Sequence, residues 1–395
     1  MKGNVCSDFD LGNHFRHMSS KDAIKYEEAQ IEHFKNFIIK CIEMEPDILI
    51  IVGNLFGNSK PRNLVAETVK TGFNNLTENG TKIFILPGTH DIPLPFTNDI
   101  PIHHIFENRD VKFLFNKERL SKAIIDEPIY KIEIDNLKIN LFSTPSPLIN
   151  PKNISFELNL DKNSLNLFLM ADINSFKKDI EETFTNLLNS LDKFDLDALL
   201  LGGNYPEVPE LSDCKFKIIH CPQIHKNNFI YAEKEHGIRM IDIADKDIKY
   251  ERKVYPISRF NMINKIFNVS NLNARDINEN IYNIIKENAN PSNNIMRFTL
   301  VGKLEKQRYH NLKLFKYSEM GKRRNYYFEL LDRIEFLDSS AEIQKLDVKK
   351  ELEDFIANKM KSESKEVIID ELKLDIEDVY KESLELIKNN WEIDN

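Results

Sequence analysis

The sequence has few cysteines and no long apolar run, and each shortage excludes a class of protein. The chain of 395 residues has four cysteines, and none of them forms a Cys-x-x-Cys pair, so we expect neither a disulfide framework nor a zinc framework. No stretch approaches the roughly 18 uninterrupted apolar residues that a membrane-spanning helix needs. The N-terminal sequence MKGNVCSDFDLGNHF lacks the apolar core of a secretory signal. These absences predict a cytoplasmic protein with no membrane partner.

The composition is that of a globular protein, with an uneven distribution of charge. Hydrophobic residues make up 41% and charged residues 30% of the chain, which is enough apolar material to bury a core. Residues 340–395 hold 9 Lys, no Arg and 16 Asp and Glu, and the rest of the chain holds 45 basic and 47 acidic residues. The nearly neutral body has no bulk signature of nucleic-acid binding, so contact with DNA would need a local basic patch.

The period of the apolar residues divides the chain into three parts. Buried strand patterns at 47–53 and 82–88 alternate with helical patterns at 20–44, with Ser20 as a candidate N-cap, and at 62–78, which favours a layered α/β domain. Further strand patterns continue densely to about residue 250. We therefore predict an α/β domain at 1–250, a small α+β domain at 252–338 and a helical segment at 340–395.

Polar residues follow four of the predicted strands at the point where each strand ends. Asp8 and Asp10 follow the first strand, and Gly53-Asn54, Gly88-Thr89-His90-Asp91 and Gly202-Gly203-Asn204-Tyr205 follow three others. Ligands of open α/β sheets bind just outside the carboxyl ends of the strands, so these turns predict one shared site. The alternative is that the aspartates are ordinary turn residues and that Asp91 caps a turn. His220 and His225 are interpreted as ordinary residues of a loop.

Three motifs in this order resemble a known family. SDFDLGN (7–13), DILIIVGNLFGNSKP (47–61) and LPGTHD (86–91) are similar to motifs of the calcineurin-like metallophosphoesterases, and most of all to the SbcD and meiotic recombination eleven family, the nuclease subunit of the double-strand-break repair complex. HCPQIH, HGIRMIDI, KVYPISRF and MRFTLVGKL resemble later segments of that family, so the resemblance covers roughly residues 1–335. It implies a four-layer metallophosphoesterase-type sandwich, a small α+β capping domain and a C-terminal helical segment.

The same comparison predicts a degenerate metal site. Two-metal phosphoesterases hold two ions some ~3.5–4 Å apart, and the resemblance assigns Asp8 to a retained ligand and His90 to the residue that stabilises the transition state. The positions that depart from the family pattern are Asp10 for His, Asn54 for the bridging Asp, Thr89 for Asn, Ala171 for His, and Gly203 and Tyr205 for paired His. We expect Asp8, Asp10 and Asn54 to be vestigial metal ligands, His90 to be a vestigial catalytic residue, and no cofactor to be required.

An active enzyme is the alternative. The ligands of a single manganese or other divalent ion would then be Asp8, Asp10 and Asn54, with Asp172 as a compensating ligand. The chain would be a metal-dependent DNA exonuclease or endonuclease, or another phosphoesterase, with a rewired site. A single ion lacks the clamp on both the attacking and the leaving oxygen, so its chemistry would be slow.

The expected partners follow from the resemblance and from two sequence features. The basic residues Lys60, Arg62, Lys322, Arg323 and Arg324 are candidate phosphate contacts, and the alternative is that the last three belong to a solvated loop. Apolar stripes in the acidic tail are candidates for docking on an SMC-like ATPase, although they would also suit a solvated hairpin; their residues are Leu352, Phe355, Ile356, Leu384 and Ile387.

The resemblance also implies a homodimer, formed through the helices at 20–44 and 62–78. The leading hypothesis is a non-catalytic or weakly active homologue of the repair nuclease subunit that binds DNA ends and the ATPase. A third hypothesis is a pure protein-interaction scaffold that never contacts DNA, which the nearly neutral body favours.

Overall fold

The computed structural model describes residues 1–15, 18–93, 107–115, 124–144, 155–171, 180–203, 214–225, 229, 236–244 and 247–337. The chain divides into two compact units, Met1–Glu335 and Phe336–Asn395. The first unit is mixed α/β. Its helices among the described residues are α1 (Ser20–Met44), α2 (Asn63–Glu78), α3 (Ile180–Leu191), α4 (Ala274–Glu287), α5 (Lys306–His310) and α6 (Leu314–Arg324).

A six-stranded sheet carries the N-terminal motifs. Four of its strands run parallel, and β12 and β13 extend it in antiparallel pairing. Its strands, in spatial order, are β13 (Asp247–Tyr255), β12 (Ile238–Ala244), β1 (Lys2–Cys6), β2 (Ile48–Val52), β3 (Lys82–Leu86) and β4 (Val111–Phe113). All five residues of β2 are buried, as expected of a central strand covered on both faces.

A second sheet of five strands is parallel except for its edge strand β6. In spatial order its strands are β11 (Lys217–Cys221), β10 (Ala198–Gly202), β9 (Leu165–Met170), β7 (Leu137–Ser143) and β6 (Tyr130–Ile134). The short strands β5 (Ile124–Ile125) and β8 (Ser155–Phe156) pair with each other.

Three hydrophobic clusters fix the order of the layers. One cluster joins α1 and α2 to the six-stranded sheet. A second contains buried residues of both sheets, so the two sheets face each other across it. The third joins the five-stranded sheet to α3. The layers are therefore helices, sheet, sheet and helix, and the carboxyl ends of β1, β2 and β3 lie at one edge.

The segment after β13 has a core of its own. A three-stranded sheet, in the order β14 (Asn261–Asn268), β15 (Asn290–Leu304) and β16 (Asn325–Phe336), packs with α4 and α6 around Ile277, Ile281 and Phe298. A further cluster, rich in aromatic residues, contains Tyr26 from the α/β part and Phe260 from the segment after β13.

The structure corrects several details of the predicted elements. The N-cap of α1 is Ser19, whose hydroxyl accepts a hydrogen bond from the Asp22 amide at 3.2 Å, and not Ser20. Within the segment KVYPISRF, the strand β13 ends at Tyr255, because a proline follows it. His220 lies within β11 and not in a loop. Basic residues 322–324 form the last turn of α6 and not a loop.

Other predictions fall on residues that the structure does not describe. The candidate ATPase-docking side chains Leu352, Phe355, Ile356, Leu384 and Ile387 lie outside the described residues, as do Asp172 and Tyr205. All four cysteines are free, in agreement with the expectation of no disulfide. Within the described part of the chain, no helix combines the length and the apolar character needed to cross a bilayer.

Candidate active site

Four of the predicted site residues come together at one edge of the six-stranded sheet. Asp8 and Asp10 follow β1, Asn54 follows β2, and His90 lies in the turn after β3. Because β1, β2 and β3 are adjacent and parallel, their carboxyl ends deliver these side chains to one place. The structure thus places these four residues in neighbouring turns.

Asp8 is buried and its carboxylate faces donors from two other segments. One oxygen, Oδ1, accepts hydrogen bonds from the backbone N–H of Asn54 at 2.9 Å and from its side-chain amide at 3.3 Å. The other oxygen, Oδ2, accepts a hydrogen bond from the Gln223 amide at 3.1 Å. The carboxylate thus joins the turn after β1 to the turns after β2 and β11.

Asp10 is paired with His90. The Nδ1 atom of His90 donates to Oδ1 of Asp10 across 3.0 Å, and the His90 backbone N–H donates to Oδ1 of Asn54 at 2.8 Å. The hydrogen bond to Asp10 is the largest cause that raises the pKa of His90, from 6.5 to about 9. The imidazole is therefore an imidazolium at neutral pH, although 48% of its side chain is exposed.

The backbone at the two aspartates is unusual. Asp8 has φ of 38° and Asp10 has φ of 45°, which is the left-handed region that residues other than glycine seldom adopt. In this conformation the Asp8 carboxylate faces the Asn54 segment and the Asp10 carboxylate faces His90. A Cβ at Gly53 would overlap the Asp8 carboxylate, and one at Gly88 would overlap the Asn54 side chain, so both glycines are required by close approach.

Asp91, the last residue of the GTHD turn, has a structural role. It is fully buried, and its two oxygens accept hydrogen bonds from the backbone N–H groups of Leu55 at 2.9 Å, Phe56 at 2.8 Å and Gly88 at 3.1 Å. Its carboxylate fixes the turn after β2 against the turn after β3. These hydrogen bonds agree with the interpretation of Asp91 as a residue that caps a turn.

Gln223 is a site residue that sequence reasoning missed. It lies after β11, and its amide reaches Asp8 across 215 positions of sequence. The same segment supplies the Cys221 carbonyl that accepts a hydrogen bond from Ser7 Oγ at 2.9 Å. A glutamine in a loop has no local signature, and the resemblance of HCPQIH to a family segment was not used to place this turn near the site.

The residues present do not fit a pair of divalent ions. Among the described residues, no group of three or more His, Cys, Asp or Glu side chains is placed to hold a metal ion. Ala171 is a buried residue directly after β9, and Gly203 offers only backbone atoms, with its N–H directed at Ser7 Oγ. Asn54 is neutral and directs its side-chain N–H₂ toward Asp8, which leaves no bridging carboxylate between two cations.

A pair of buried histidines supports the same turn from behind. His225 Nδ1 donates to the Phe9 carbonyl at 2.8 Å, and its Nε2 accepts from Nδ1 of His33, on α1, at 3.2 Å. Burial lowers the pKa of His33 to about 3 and that of His225 to about 4, so both rings are neutral. Together they hold Phe9, the residue between Asp8 and Asp10, in place. From the sequence alone, His225 was interpreted as an ordinary loop residue.

The candidate phosphate contacts lie in two places. Arg62 is the N-cap of α2 and forms an ion pair with Glu27 at 2.6 Å, and Lys60 is exposed in the preceding loop. Lys322, Arg323 and Arg324 end α6 in the segment after β13. Lys322 pairs with Glu319 at 3.0 Å, Arg323 is exposed and Arg324 is half-buried.

Comparison with known proteins gives one partial similarity. A stretch of 62 residues is 32% identical to the DNA double-strand break repair protein Mre11 of Methanocaldococcus jannaschii, and it covers 16% of this chain and 17% of that protein. The similarity therefore spans less than a fifth of the relative. No family model matches the chain. The finding is a partial sequence similarity to a DNA double-strand break repair protein and shows no more than that.

Proposed function

We propose that this chain is a non-catalytic or weakly active homologue of the double-strand-break repair nuclease subunit, acting as a dimeric scaffold that binds DNA ends and an SMC-like ATPase. The observation that carries the proposal is the closed hydrogen-bond network among Asp8, Asn54, Gln223, Asp10 and His90. Amides and an imidazolium occupy the directions from which cations would approach the two carboxylates.

The charges of the site disfavour the hydrolysis of a phosphodiester. A phosphodiester that approached Asp8 and Asp10 would meet two carboxylates and a single compensating positive charge on His90. In a two-metal enzyme the ions supply the Lewis acid and the nucleophilic hydroxide, and His90 has no such water to assist here. Loss of ligands costs more metal affinity than the ~10–100-fold typical of changes one shell further out.

The layer order and the sequence similarity support the scaffold part of the proposal. The order helices, sheet, sheet and helix is compatible with the sandwich that the resemblance implies, and the separate core of the segment after β13 supports the proposal of a capping domain. The partial similarity to Mre11 points in the same direction. Association with an SMC-like ATPase rests on the resemblance alone.

Metal content and nuclease activity test the catalytic part. We expect protein purified without chelators to contain far less than one equivalent of manganese, iron or zinc by mass spectrometry. We also expect no cleavage of linear or hairpin DNA with excess manganese. Stoichiometric metal together with cleavage that Asp8→Ala abolishes, and that the exposed-site control Asp242→Ala retains, would overturn the proposal.

A single-ion phosphoesterase is the second candidate. The proximity of Asp8, Asp10 and the Asn54 carbonyl favours it, because oxygen ligands suit hard divalent cations. It requires Asp8 to release Gln223 and Asp10 to release His90. Titration with the diamagnetic ion Mg²⁺, followed by the His90 ring resonances, distinguishes the two candidates, since an ion that displaced His90 from Asp10 would remove the hydrogen bond that raises the pKa of His90.

The dimer part of the proposal concerns a groove between α1 and α2. This groove has a volume of about 460 Å³ and is rimmed by Ile39 and Leu64, which are 55% and 56% exposed. We expect Ile39→Asp with Leu64→Asp to yield a monomer by light scattering, because a charge in a buried apolar interface is costly. Ile24→Asp, on α1 and not part of the groove lining, is the matched control. A wild-type monomer at micromolar concentration would contradict the dimer.

A further inference from the structure

The nearly neutral charge of the body conceals a strong asymmetry. Residues 1–250 hold 29 basic and 37 acidic side chains, whereas residues 252–338 hold 16 basic and 9 acidic ones. Most of the excess comes from the short stretch 303–324, which contains 8 Lys and Arg against 2 Glu. The local basic patch that DNA binding would need is therefore present, around α5 and α6.

Helix α6 presents an exposed face that combines cations with an aromatic ring. At 100° per residue, Phe315, Lys316, Lys322 and Arg323 fall within about one third of the helix circumference, and all four are exposed. The opposite face is buried through Tyr317 and Gly321. The buried face fixes the orientation of the helix, so the mixed face is directed at solvent.

Phe315 has the greatest exposure among the large hydrophobic side chains of the described residues, at 82%. Isolated exposed apolar residues are common, but this one lies on the same helix face as Lys316 and Arg323. Neither Lys316 nor Arg323 forms an ion pair within the described part of the chain. A docking partner that was itself apolar would have to desolvate these cations, whereas a polyanion with flat apolar faces would satisfy both kinds of side chain.

The positions of the cations on the helix give a second, independent indication. Lys322, Arg323 and Arg324 at the C-terminus complement the helix dipole, so helix stability alone explains them. Lys313 at the N-cap and Lys316 in the first turn oppose the dipole, and no acidic residue lies in that turn. Nor does the Lys313 side chain cap the helix. These two lysines, which precede and follow Phe315 in the sequence, need another explanation than helix stability.

We propose that this face of α6 binds single-stranded nucleic acid, with Phe315 stacking on an unpaired base and Lys316 and Arg323 contacting the adjacent phosphates. The inference rests on the proposed binding of DNA ends and specifies the form of the end. Bases within a duplex are stacked on each other, so only an unpaired or frayed strand offers a free face to the ring. Aromatic stacking and a cationic track are the usual means of binding single strands without sequence preference.

Fluorescence anisotropy with the full chain and three DNA probes tests this assignment. The probes are a single-stranded oligonucleotide of mixed sequence, a blunt duplex of equal length, and that duplex with a single-stranded overhang. Phe315→Ala should weaken binding of the single strand and the overhang by about 5- to 100-fold, the range expected for one lost stack. Binding of the blunt duplex should change by less than about twofold.

Charge removal and an aromatic control complete the design. Lys316→Gln with Arg323→Gln should weaken binding to all three probes and lower the slope of log affinity against log salt by about 1 to 2. Tyr282→Ala, an exposed aromatic of α4, should leave every affinity unchanged. Thermal melts of each variant show whether the fold is retained.

The outcomes separate the two proposals. Absence of wild-type binding to any probe at low salt would overturn both DNA binding and this assignment. Tight wild-type binding that Phe315→Ala leaves unchanged, or weakens equally for the single strand and the blunt duplex, would overturn only the stacking role of Phe315.

Discussion

The Asp10–His90 pair is the part of the candidate site whose charge state is measurable in solution. Its hydrogen bond is the main reason that the pKa of His90 rises to about 9. Because the folded pKa lies above the unfolded value of 6.5, the pair contributes its stability fully below pH 6.5, and that contribution is lost as pH rises through about 9.

Replacement of Asp10 by asparagine should return the pKa of His90 toward 6.5. The amide keeps the shape of the carboxylate but removes the negative charge that favours the imidazolium. A pH titration of the His90 ring protons by nuclear magnetic resonance measures the shift. A value near 6.5 in the unmodified protein would contradict the pair as described.

Asp91 should be important for stability and not for chemistry. Asp91→Asn would place an N–H₂ group against at least one of the three backbone N–H groups that the carboxylate now satisfies. We expect a loss of roughly 3 kcal/mol in the free energy of unfolding, measured in urea, because hydrogen bonds to a buried charged group are among the strong ones. Asp242→Asn, at an exposed position, should change it by less than about 0.5 kcal/mol.

At the residue scale, the sequence located the polar turns but not their connections. Asp8, Asp10, Asn54 and His90 were found because each follows a recognisable apolar strand. Gln223 and His33 were not found, because their partners lie 215 and 192 positions away. Hydrogen bonds over such separations depend on the packing of layers, which a local pattern does not contain.

The close approach of the two large sheets depends on a single small residue at the end of β10. A Cβ on Gly202 would overlap the backbone carbonyl of Val52 on β2, and a backbone atom cannot move aside as a flexible side chain can. Gly202→Ala should therefore destabilise the protein by about 2–4 kcal/mol, since overpacking alone costs about 1–3 kcal/mol. Thermal and urea unfolding measure the change.

Gly80→Ala is the comparison for that prediction. Gly80 has φ of 90° and open space around its Cβ direction, so alanine there incurs only backbone strain, about 1 kcal/mol. Equal losses at the two positions would show that the sheets separate easily at Gly202.

Strands and helices with strong apolar patterns were predicted well. The runs that became β2, β3, β9 and β10 are almost entirely apolar, and α1 and α4 have a regular buried stripe. The elements that were missed are polar. β14 buries only Met262 fully among its eight residues, and α6 carries three basic residues in its last turn. Tertiary packing, and not local pattern, forms these two elements.

At the scale of the whole molecule, the buried His33–His225 pair should make the fold sensitive to acid. Both rings have folded pKa values lowered to about 3 and 4, below the unfolded value of 6.5. Their stability contribution is therefore complete above pH 6.5 and declines as pH falls toward 4, with a slope approaching 1.4 kcal/mol per pH unit for each ring.

Urea unfolding between pH 7.5 and pH 4.5 checks this dependence. The variant His33→Phe should lose part of the slope, because one of the two rings that must remain neutral is gone, while other acid-sensitive groups are common to both proteins. Parallel curves for the two proteins would show that His33 is protonated in the native state.

The distribution of charge is also a property of the whole chain that the sequence contained and the first interpretation overlooked. A sum over residues 1–339 is close to zero because the acidic α/β part cancels the basic segment after it. The predicted boundary near residue 250, together with the separate cores of the two parts, shows which residues should be summed together. The argument for a scaffold that avoids DNA is weakened accordingly.

The buried carboxylate of Asp91 bears on how ancestry is inferred from conserved-looking signatures. The GTHD turn resembles a motif of hydrolytic enzymes. Its final aspartate, however, accepts hydrogen bonds from three backbone N–H groups, which any protein with this turn must satisfy. Selection for folding and solubility would preserve this aspartate even in a lineage that had lost nuclease activity. Lists of enzymes that are assembled from such sequence motifs will therefore include proteins that keep only the residues needed to stabilise the fold.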